Sequence, residues 1–395
     1  MKIKSDSIVT LSLTFALAFI SLSSTSNAIE NSSNNETVER LLSSMSSMND
    51  PGVQYVVVNK NTTHFSFSSG LADIKNKIPL STRHTMAVFS MTKTLTAIAV
   101  LQLVEQGEIK LNNQASQYID HPYDSEITIK QLLSHTAGIP NPIPLKWIHL
   151  DNNHKTFDEK NALSQVLANN AEPDALPGEE YGYSNIGYWL LGQIIEKVSG
   201  KSYSDYVNEN IFKPLNMKQD EIGFNISDVN NHAKGYLKKY SFMNLMKSFI
   251  LDENILGEYE GAWLHINNVY LNGPAFGGAI GSATAFSRIL QSLLNENSIL
   301  LGIKVKQQMY AQQKTSSGKT IEMTLGWHIG ELNGINYYFK EGGGAGFHCE
   351  MRIYPEQGIA SVIMVNKTNF KPKKVLDHID KEFFAGNYIR KRYRN

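Results

Sequence analysis

A serine and a lysine three residues apart are the first candidates for chemistry in this chain. Ser90 and Lys93 stand near the start of the segment FSMTKTLTAIAVLQLVEQG, residues 89–107. Residues i and i+3 share one face of a helix, so the hydroxyl and the amine can meet. A serine at a helix N-terminus also lies near the positive end of the helix dipole, which stabilises an anion that forms there. The pair therefore predicts an activated serine nucleophile.

The segment behind this pair predicts a buried helix. Apolar residues fill most positions from Leu95 to Val104, and a helix that is apolar on nearly every side belongs in a core. Gly107 is placed to end this helix. Burial disfavours the ammonium form of a lysine, so Lys93 can serve as a neutral base near pH 7.

The Ser-x-x-Lys pattern is weak by itself and occurs twice in the chain. The second copy, Ser316 and Lys319, lies in the polar turn KTSSGKT with no apolar helix behind it. Such a segment predicts an exposed hairpin loop. The first copy therefore has the burial that makes its lysine useful as a base, and the second does not.

A further polar group is needed to pass the proton to a leaving group. Tyr183 and Asn185 are the candidates, because they follow the turn Pro177-Gly178 and open a predicted apolar helix. That position puts a phenol and an amide on a rigid junction between loop and helix. The same spacing recurs, in less favourable positions, at Tyr206/Asn208 and Tyr270/Asn272.

The third candidate element is rich in glycine. Its sequence, KEGGGAGF at residues 340–347, follows a strand predicted at residues 335–339. Glycines let a backbone approach a substrate closely and leave N–H groups exposed, and an oxyanion hole needs such donors. A plain glycine-rich hairpin is the alternative interpretation of this segment if it stood alone.

The elements that must position these residues suggest an α/β fold of the α+β type. Strands are predicted near both ends of the chain and helices in the middle, which indicates an antiparallel sheet flanked by helices with an inserted all-helical domain. The predicted divisions are 1–28, a signal peptide; 29–50, a flexible leader and short helix; 51–118 with 273–386, the α/β domain; 119–272, the helical domain with a variable loop or lid; and 387–395, a basic tail.

The N-terminus resembles a secretory signal. Lys2 and Lys4 precede an apolar run from Ile8 to Leu22, and Ser26 and Ala28 are small residues at the −3 and −1 positions of a cleavage site. The alternative is an uncleaved membrane anchor. We expect cleavage, a periplasmic or secreted location, and no integral membrane span in the remaining chain.

Charge balance and cysteine content limit the partners and cross-links that this chain can have. The 395 residues carry 37 Lys plus Arg and 37 Asp plus Glu, a balance that argues against a nucleic-acid partner. Cys349 is the single cysteine, so neither an internal disulfide nor a cysteine metal cluster can form. His135 and His348 have no metal-ligand spacing and are interpreted as structural.

Together and in this order, the candidate elements resemble the serine β-lactamase and penicillin-binding-protein superfamily. Within it, the most similar branch contains class C β-lactamases, DD-peptidases of the same type and related esterases. The similarity extends over residues 50–370 and is weak only at 218–272. Its landmarks are FSMTK at 89–93, LLSHTAG at 132–138, Pro177-Gly178 ahead of YSN at 183–185, Gly277-Gly278 with Ser282, Gly326-Trp327, and Tyr354-Pro355 with Gly358 and Asn366.

The resemblance implies a β-lactamase/transpeptidase-like fold, with the site between the sheet and the helical domain. It also implies that Ser90 is a nucleophile that forms an acyl-enzyme, and that Lys93 helps to deprotonate it. Tyr183 would act as general base and then as general acid, and Asn185 would hold the substrate amide. Neither a metal nor another cofactor is implied.

The glycine-rich element carries further implied roles and one departure from the family pattern. Lys340 would support the tyrosine electrostatically or meet a substrate carboxylate. With Gly342 beside them, the backbone N–H groups of Ser90 and Gly343 would form the oxyanion hole. β-Lactamases of this type usually carry Lys-Thr-Gly or Lys-Ser-Gly, whereas this chain has Glu341 in the middle. If Glu341 faces the site, it repels carboxylate-bearing substrates; if it faces across the strand, its effect is small.

The function predicted from the sequence is a serine hydrolase that cleaves an amide or ester through a Ser90 acyl-enzyme. It would resemble a D-Ala-D-Ala carboxypeptidase, another peptidase or an esterase, and act on a small-molecule or peptide substrate such as a cell-wall peptide or ester. One alternative is a class C-like β-lactamase. Another is a catalytically inactive penicillin-recognising module used for binding or sensing. A third is a lipase-like enzyme with residues 236–271 as a lid.

Overall fold

A computed structural model describes residues 34–144, 146–241, 244, 253–368 and 370–384. The predicted signal peptide at 1–28 and the predicted basic tail at 387–395 lie outside these residues. Within the described ranges, no helix combines the length and the apolar character that a membrane span requires.

The described strands and helices are numbered here in chain order. The strands are β1 Val53–Asn59, β2 Thr63–Ser69, β3 Leu71–Asp73, β4 Ile78–Pro79, β5 Met86–Ala87, β6 Ile148–Leu150, β7 Ile222–Gly223, β8 Gly235–Lys238, β9 Leu256–Glu260, β10 Trp263–Ile266, β11 Val269–Leu271, β12 Ile280–Gly281, β13 His328–Leu332, β14 Ile335–Gly344, β15 Phe347–Tyr354 and β16 Ile359–Val365. The α-helices are α1 34–44, α2 Thr92–Glu105, α3 Ile129–Leu133, α4 Asp151–His154, α5 Glu159–Asn169, α6 Asn185–Ser199, α7 Tyr203–Val207, α8 Pro274–Gly277, α9 Ala283–Leu294, α10 Ile303–Tyr310 and α11 Pro372–Ile379.

The main sheet joins the two ends of the chain. Its order is β13-β14-β15-β16-β1-β2, and every neighbouring pair is antiparallel. Successive side chains of a strand point to opposite faces, and helices cover both faces here. On β1, Val56 and Val58 join the large core that includes α9, whereas Tyr55 and Val57 pack with residues of α1 and α11. The central strands β1 and β16 are therefore buried on both faces and largely apolar without alternation.

Helix α2 is the buried rod that the sequence predicts. Its side chains are buried from Thr92 to Leu103, so it shows no polar face. It packs against α6, α8 and α10, between the main sheet and the inserted segment. Gly107 follows its end with a φ of +81°, a left-handed conformation that glycine adopts without strain.

The inserted segment contains sheet as well as helix, which corrects the expectation of an all-helical domain at 119–272. A three-stranded sheet has the order β8-β10-β9, and β11 pairs with β6. The strands have three to five residues each, too few to show a period of two. In addition, the partners β6 and β11 are separated by more than 100 residues. Local pattern could not reveal such a pairing.

Candidate active site

Ser90 lies on a single 3₁₀ turn, Phe89–Met91, that leads directly into α2. Phe89 has a φ of +45°, which is strained for a residue with a side chain. This conformation precedes a half-buried serine whose Oγ lies 2.7 Å from the hydroxyl oxygen of Tyr183 and 3.2 Å from Lys93 Nζ. The structure thus brings together the hydroxyl, the amine and the phenol that the sequence singles out.

Lys93 is fully buried, and its amine is held by two carbonyl oxygens. Its Nζ donates to Asn185 Oδ1 and to the backbone oxygen of Phe276, both at 2.7 Å. Burial, and secondarily the charge of Lys340, lowers the pKa of Lys93 well below its ordinary value. A neutral amine has two N–H donors and one lone pair. In the neutral amine these two carbonyl oxygens would occupy both donors, which leaves the lone pair for Ser90 Oγ, as a base requires.

Tyr183 is fixed by the start of α6. The next residue, Ser184, caps this helix by accepting a hydrogen bond from the Gly187 N–H at 3.0 Å, and its own N–H donates to His135 Nδ1 at 3.2 Å. The His135 ring also lies 4.4 Å from the Tyr183 ring, centroid to centroid. Burial raises the pKa of Tyr183 well above its ordinary value. Tyr183 is therefore a neutral phenol that can donate a proton.

Lys340 is a second buried lysine of the site, and its amine has no hydrogen-bond partner among the described residues. It is fully buried on β14. The Nζ lies 5.3 Å from the centroid of the Tyr183 ring. Burial lowers the pKa of Lys340 to about 7. The implied role beside the tyrosine is thus compatible with its position, and its amine is open to a ligand.

The glycines of β14 allow this strand to approach the nucleophile. A Cβ on Gly342 would lie 2.0 Å from the Val88 oxygen and 3.0 Å from the Ser90 nitrogen, and one on Gly344 would lie 2.6 Å from the Phe89 ring. Any side chain at these positions would displace the turn that carries Ser90. Gly343 lines the cavities on both sides of Ser90. Residues 340–344 pair with β15 on one side, but β13 pairs only with residues 335–339, so on the other side 340–344 have no partner strand among the described residues.

Glu341 faces away from the nucleophile. Along β14, Lys340 and Gly342 are buried towards Ser90, whereas Glu341 is exposed on the opposite face. Its Oε1 lies 2.5 Å from His348 Nε2 on the neighbouring strand. Of the two orientations that the sequence left open, the structure has the one that points across the strand towards His348, and Glu341 still borders the cavity that Ser90, Tyr183 and Lys340 line.

His328 is a site residue that sequence analysis missed. It opens β13, lines the same cavity as Ser90 and Lys340, and stacks on Tyr183 with 6.5 Å between ring centroids. Its Nε2 lies 3.1 Å from the Tyr181 hydroxyl oxygen. Burial, then the charges of Lys340 and Lys93, lowers its pKa, so the ring is neutral. Only the pairing of β13 with β14 brings it here, and no local motif marks it.

Replacing Lys340 by methionine is expected to stabilise the protein. Because folding lowers the pKa of this lysine from 10.5 to about 7, the unfolded chain binds more protons between these values. This contribution makes the wild-type free energy of unfolding rise as pH increases through that window. Below pH 7 the cost of burying the charge is present in full. The variant should therefore gain about 2 kcal/mol or more at pH 6 and less at pH 9.

Urea unfolding of both proteins at the two pH values measures this difference. An equal gain at pH 6 and pH 9, or a loss at pH 6, would contradict the assignment of a buried, titrating amine. Lys319→Met is a matched control, because Lys319 lies in the exposed second Ser-x-x-Lys segment.

The sequence of this chain is similar to the sequences of several known proteins. The profile of the family described as Beta-lactamase matches residues 41–382. Protein flp of Staphylococcus aureus (strain MW2) is 33% identical over 174 residues, which cover 42% of this chain and 34% of that protein. Penicillin-binding protein 4* of Bacillus subtilis (strain 168) is 28% identical over 269 residues, 67% of this chain and 56% of that protein. The chain thus matches between about a third and somewhat more than half of the length of these two relatives.

A solved structure shows the same fold. The octameric penicillin-binding protein homologue from Pyrococcus abyssi superposes with a TM-score of 0.69 at 21% identity. The superposition covers 83% of this chain and 72% of that one. It confirms the predicted combination of an antiparallel sheet with flanking helices.

Proposed function

Because the chain belongs to the β-lactamase family, we propose that it is a serine hydrolase that cleaves an ester or amide bond through a Ser90 acyl-enzyme. The observation that carries the proposal is the position of Ser90 Oγ, 2.7 Å from a phenol and 3.2 Å from a buried amine whose donors are occupied. A structural serine has no need of two proton-transfer groups. The geometry matches the arrangement of an activated nucleophile with a base and a separate acid.

In the first half of the reaction, Lys93 takes the proton of Ser90 while Oγ attacks the substrate carbonyl carbon. The resulting oxyanion would be stabilised by the backbone N–H groups of Ser90 and Gly343. Tyr183 donates its proton to the leaving oxygen or nitrogen as the bond breaks. The Lys93 ammonium then returns its proton to the tyrosinate, 4.9 Å away measured to the ring centroid. Both residues are neutral again and the acyl group is on Ser90.

The second half reverses these roles with water as the nucleophile. Water loses a proton to the same base as it attacks the acyl carbonyl, and the Ser90 oxygen leaves with a proton. Lys340 supports the transient tyrosinate, because its Nζ lies 5.3 Å from the ring centroid of Tyr183. The net reaction consumes one water and releases an acid and an alcohol or amine.

Peptides and esters are proposed as substrates ahead of β-lactams. The hydroxyl that usually follows the lysine of the third motif is absent, and Glu341 is turned towards His348 instead of replacing it. The site consequently lacks a side-chain hydroxyl for a β-lactam carboxylate at this position. Parallel assays with nitrocefin, a short nitrophenyl ester and a D-Ala-D-Ala peptide test this order. Nitrocefin turnover faster than that of the other two would reverse it.

A fluorophosphonate probe tests the proposed nucleophile directly. Intact protein is labelled, digested and mapped by mass spectrometry, and the label is expected on Ser90. A label on another residue, or none from a panel of acylating and phosphonylating probes, would refute the proposal.

Replacing Tyr183 by phenylalanine is expected to impair the cleavage of poor leaving groups most. An alkoxide or amide nitrogen must be protonated as it departs, whereas nitrophenolate leaves without a proton. The value of kcat/KM should fall about 10²-fold or more for an alkyl ester or amide and by a smaller factor for the nitrophenyl ester.

The ratio of these two losses distinguishes proton donation from packing. Equal losses on both substrates would contradict the assignment of Tyr183 as the acid. Tyr240→Phe is a suitable control, because Tyr240 is 86% exposed and removed from the site.

A further inference from the structure

A second feature next to Ser90 is an apolar cavity of about 360 Å³. This size lies within the range of cavities that bind small molecules. Ile148, Leu237, Ile266, Leu271 and Phe276 contribute to its walls. None of the described residues that line it carries a charge. A site for a charged group would need at least one complementary charge, so the cavity fits an apolar one.

Part of the cavity wall comes from residues 218–272, the segment that the sequence did not explain. Strands β8, β9 and β10 form a small sheet whose apolar residues build a cluster of their own, with Leu237, Leu264 and Ile266 each less than 5% exposed. The strand pair β6–β11 adds Ile148 and Val269 to the same cluster. Paired strands thus form a substantial part of the cavity wall, together with Ile143 and Pro144 from a loop at its rim.

The position of the cavity relative to the catalytic groups decides which part of a substrate it receives. Ser90 and Gly343 line both this cavity and a second, more polar one. Tyr183 and Lys340 line the polar one and do not line the apolar one. Because the leaving group must depart beside the acid that protonates it, the leaving group belongs on the polar side. The acyl group then lies on the apolar side.

Resting on the proposed function, we propose that this cavity binds the acyl group of the substrate and makes the enzyme selective for apolar acyl groups longer than acetyl. Asn185 lines the cavity and has its Oδ1 occupied by Lys93, so its amide nitrogen remains for the substrate near the carbonyl. Beyond that amide the walls offer apolar surface. The substrate class is an uncharged ester or amide of an alkyl or aryl carboxylic acid.

The expected selectivity follows from burial of the acyl chain. Each methylene that moves from water into an apolar site in the transition state changes kcat/KM by about fourfold at most. Nitrophenyl hexanoate adds four methylenes to nitrophenyl acetate. An increase of at least about 20-fold is therefore expected between these two esters, even with incomplete burial.

A companion series assigns the effect to one side of the site. In acetate esters of alcohols from methanol to hexanol, the chain lengthens on the leaving-group side, and kcat/KM should change less than about threefold. A flat or falling acyl series would overturn the inference, and so would a stronger dependence on the alcohol. If Ser90 accepts the fluorophosphonate label in the same preparation, either result leaves the proposed hydrolase standing. Without that label and without hydrolysis, both proposals fall.

Variants of the wall provide the structural test. Val269→Phe fills part of the cavity from the half-buried strand β11, and should lower kcat/KM for hexanoate at least about tenfold more than for acetate. Ile143→Glu introduces a charge at the rim, at a residue that is 77% exposed and therefore does not support the fold. It should lower the preference for hexanoate over acetate about threefold or more.

Val229→Glu is the matched control for the rim variant, because Val229 is 68% exposed and does not line the cavity. Its ratio of hexanoate to acetate should equal that of the wild type. If Ile143→Glu leaves the ratio unchanged, or if a folded Val269→Phe protein lowers both esters equally, the cavity is not the acyl site.

Discussion

Ser90→Ala is expected to lower kcat/KM for any ester or amide substrate by at least about 10⁴-fold. The variant lacks the side chain that is proposed to form the covalent intermediate. Lys93 and Tyr183, the proposed base and acid, then have no hydroxyl to activate. The remaining groups would still bind the substrate, so KM should change little. The free energy of unfolding should change by less than about 1 kcal/mol, because Ser90 is half-buried on a surface turn and loses one hydroxyl.

The chain offers its own control for this experiment. Ser316 is the serine of the second Ser-x-x-Lys pattern, and it is exposed in a turn. Ser316→Ala should retain wild-type turnover and fluorophosphonate labelling at Ser90. A Ser90→Ala protein that is folded and still hydrolyses esters at more than about a thousandth of the wild-type rate would contradict the nucleophile assignment.

The nucleophile pair was predictable because its geometry is local. Residues i and i+3 meet on any helix, and the burial of α2 is visible in a run without a polar face. Tyr183 and Asn185 required more, since 90 residues separate them from Lys93. Sequence spacing alone could not identify them as site residues. Their order along the chain relative to the other family landmarks did. The contacts of Lys93 with Asn185 and Phe276 then follow from tertiary packing.

The orientation of Glu341 and the position of His328 could not be predicted from the sequence. The direction of a strand side chain depends on the pairing register, and a shift by one residue turns every side chain to the other face. The register of β14 with β15 sets Glu341 opposite Glu350 and places His348 within reach of its carboxylate. His328 similarly depends on its pairing with Phe339.

The apolar cavity was the largest omission. Its wall residues are apolar side chains on strands too short to show a period, and they come from parts of the chain as distant as Ile148 and Ile266. Sequence pattern therefore identified the groups of the proposed reaction. It could not identify the cavity proposed to bind the acyl group, because part of its wall forms only after β6 has paired with β11.

Lys93→Met is expected to lower kcat/KM on the order of 10³-fold, because it removes the proposed base and retains most of the side-chain volume. Three features of the structure support this role of Lys93. Its amine is buried and its pKa is lowered well below the ordinary value by that burial. Two carbonyl oxygens accept hydrogen bonds from this amine, each at 2.7 Å from Nζ. When the amine is uncharged, its lone pair remains to accept the proton of Ser90.

Lys93→Arg separates this role from a purely electrostatic one. A guanidinium stays protonated at every working pH, so it can stabilise negative charge but cannot accept the serine proton. If Lys93 acts as a base, the arginine variant should be as impaired as the methionine variant, in both turnover and the rate of fluorophosphonate labelling. The wild-type kcat/KM should fall towards acidic pH, where the amine becomes an ammonium, and the fall should be less steep in both variants, in which Lys340 still titrates. Retention of more than about a tenth of the wild-type activity by a folded arginine variant would instead assign Lys93 to charge stabilisation. Tyr183 would then have to be the base, despite the raised pKa that burial gives its phenol.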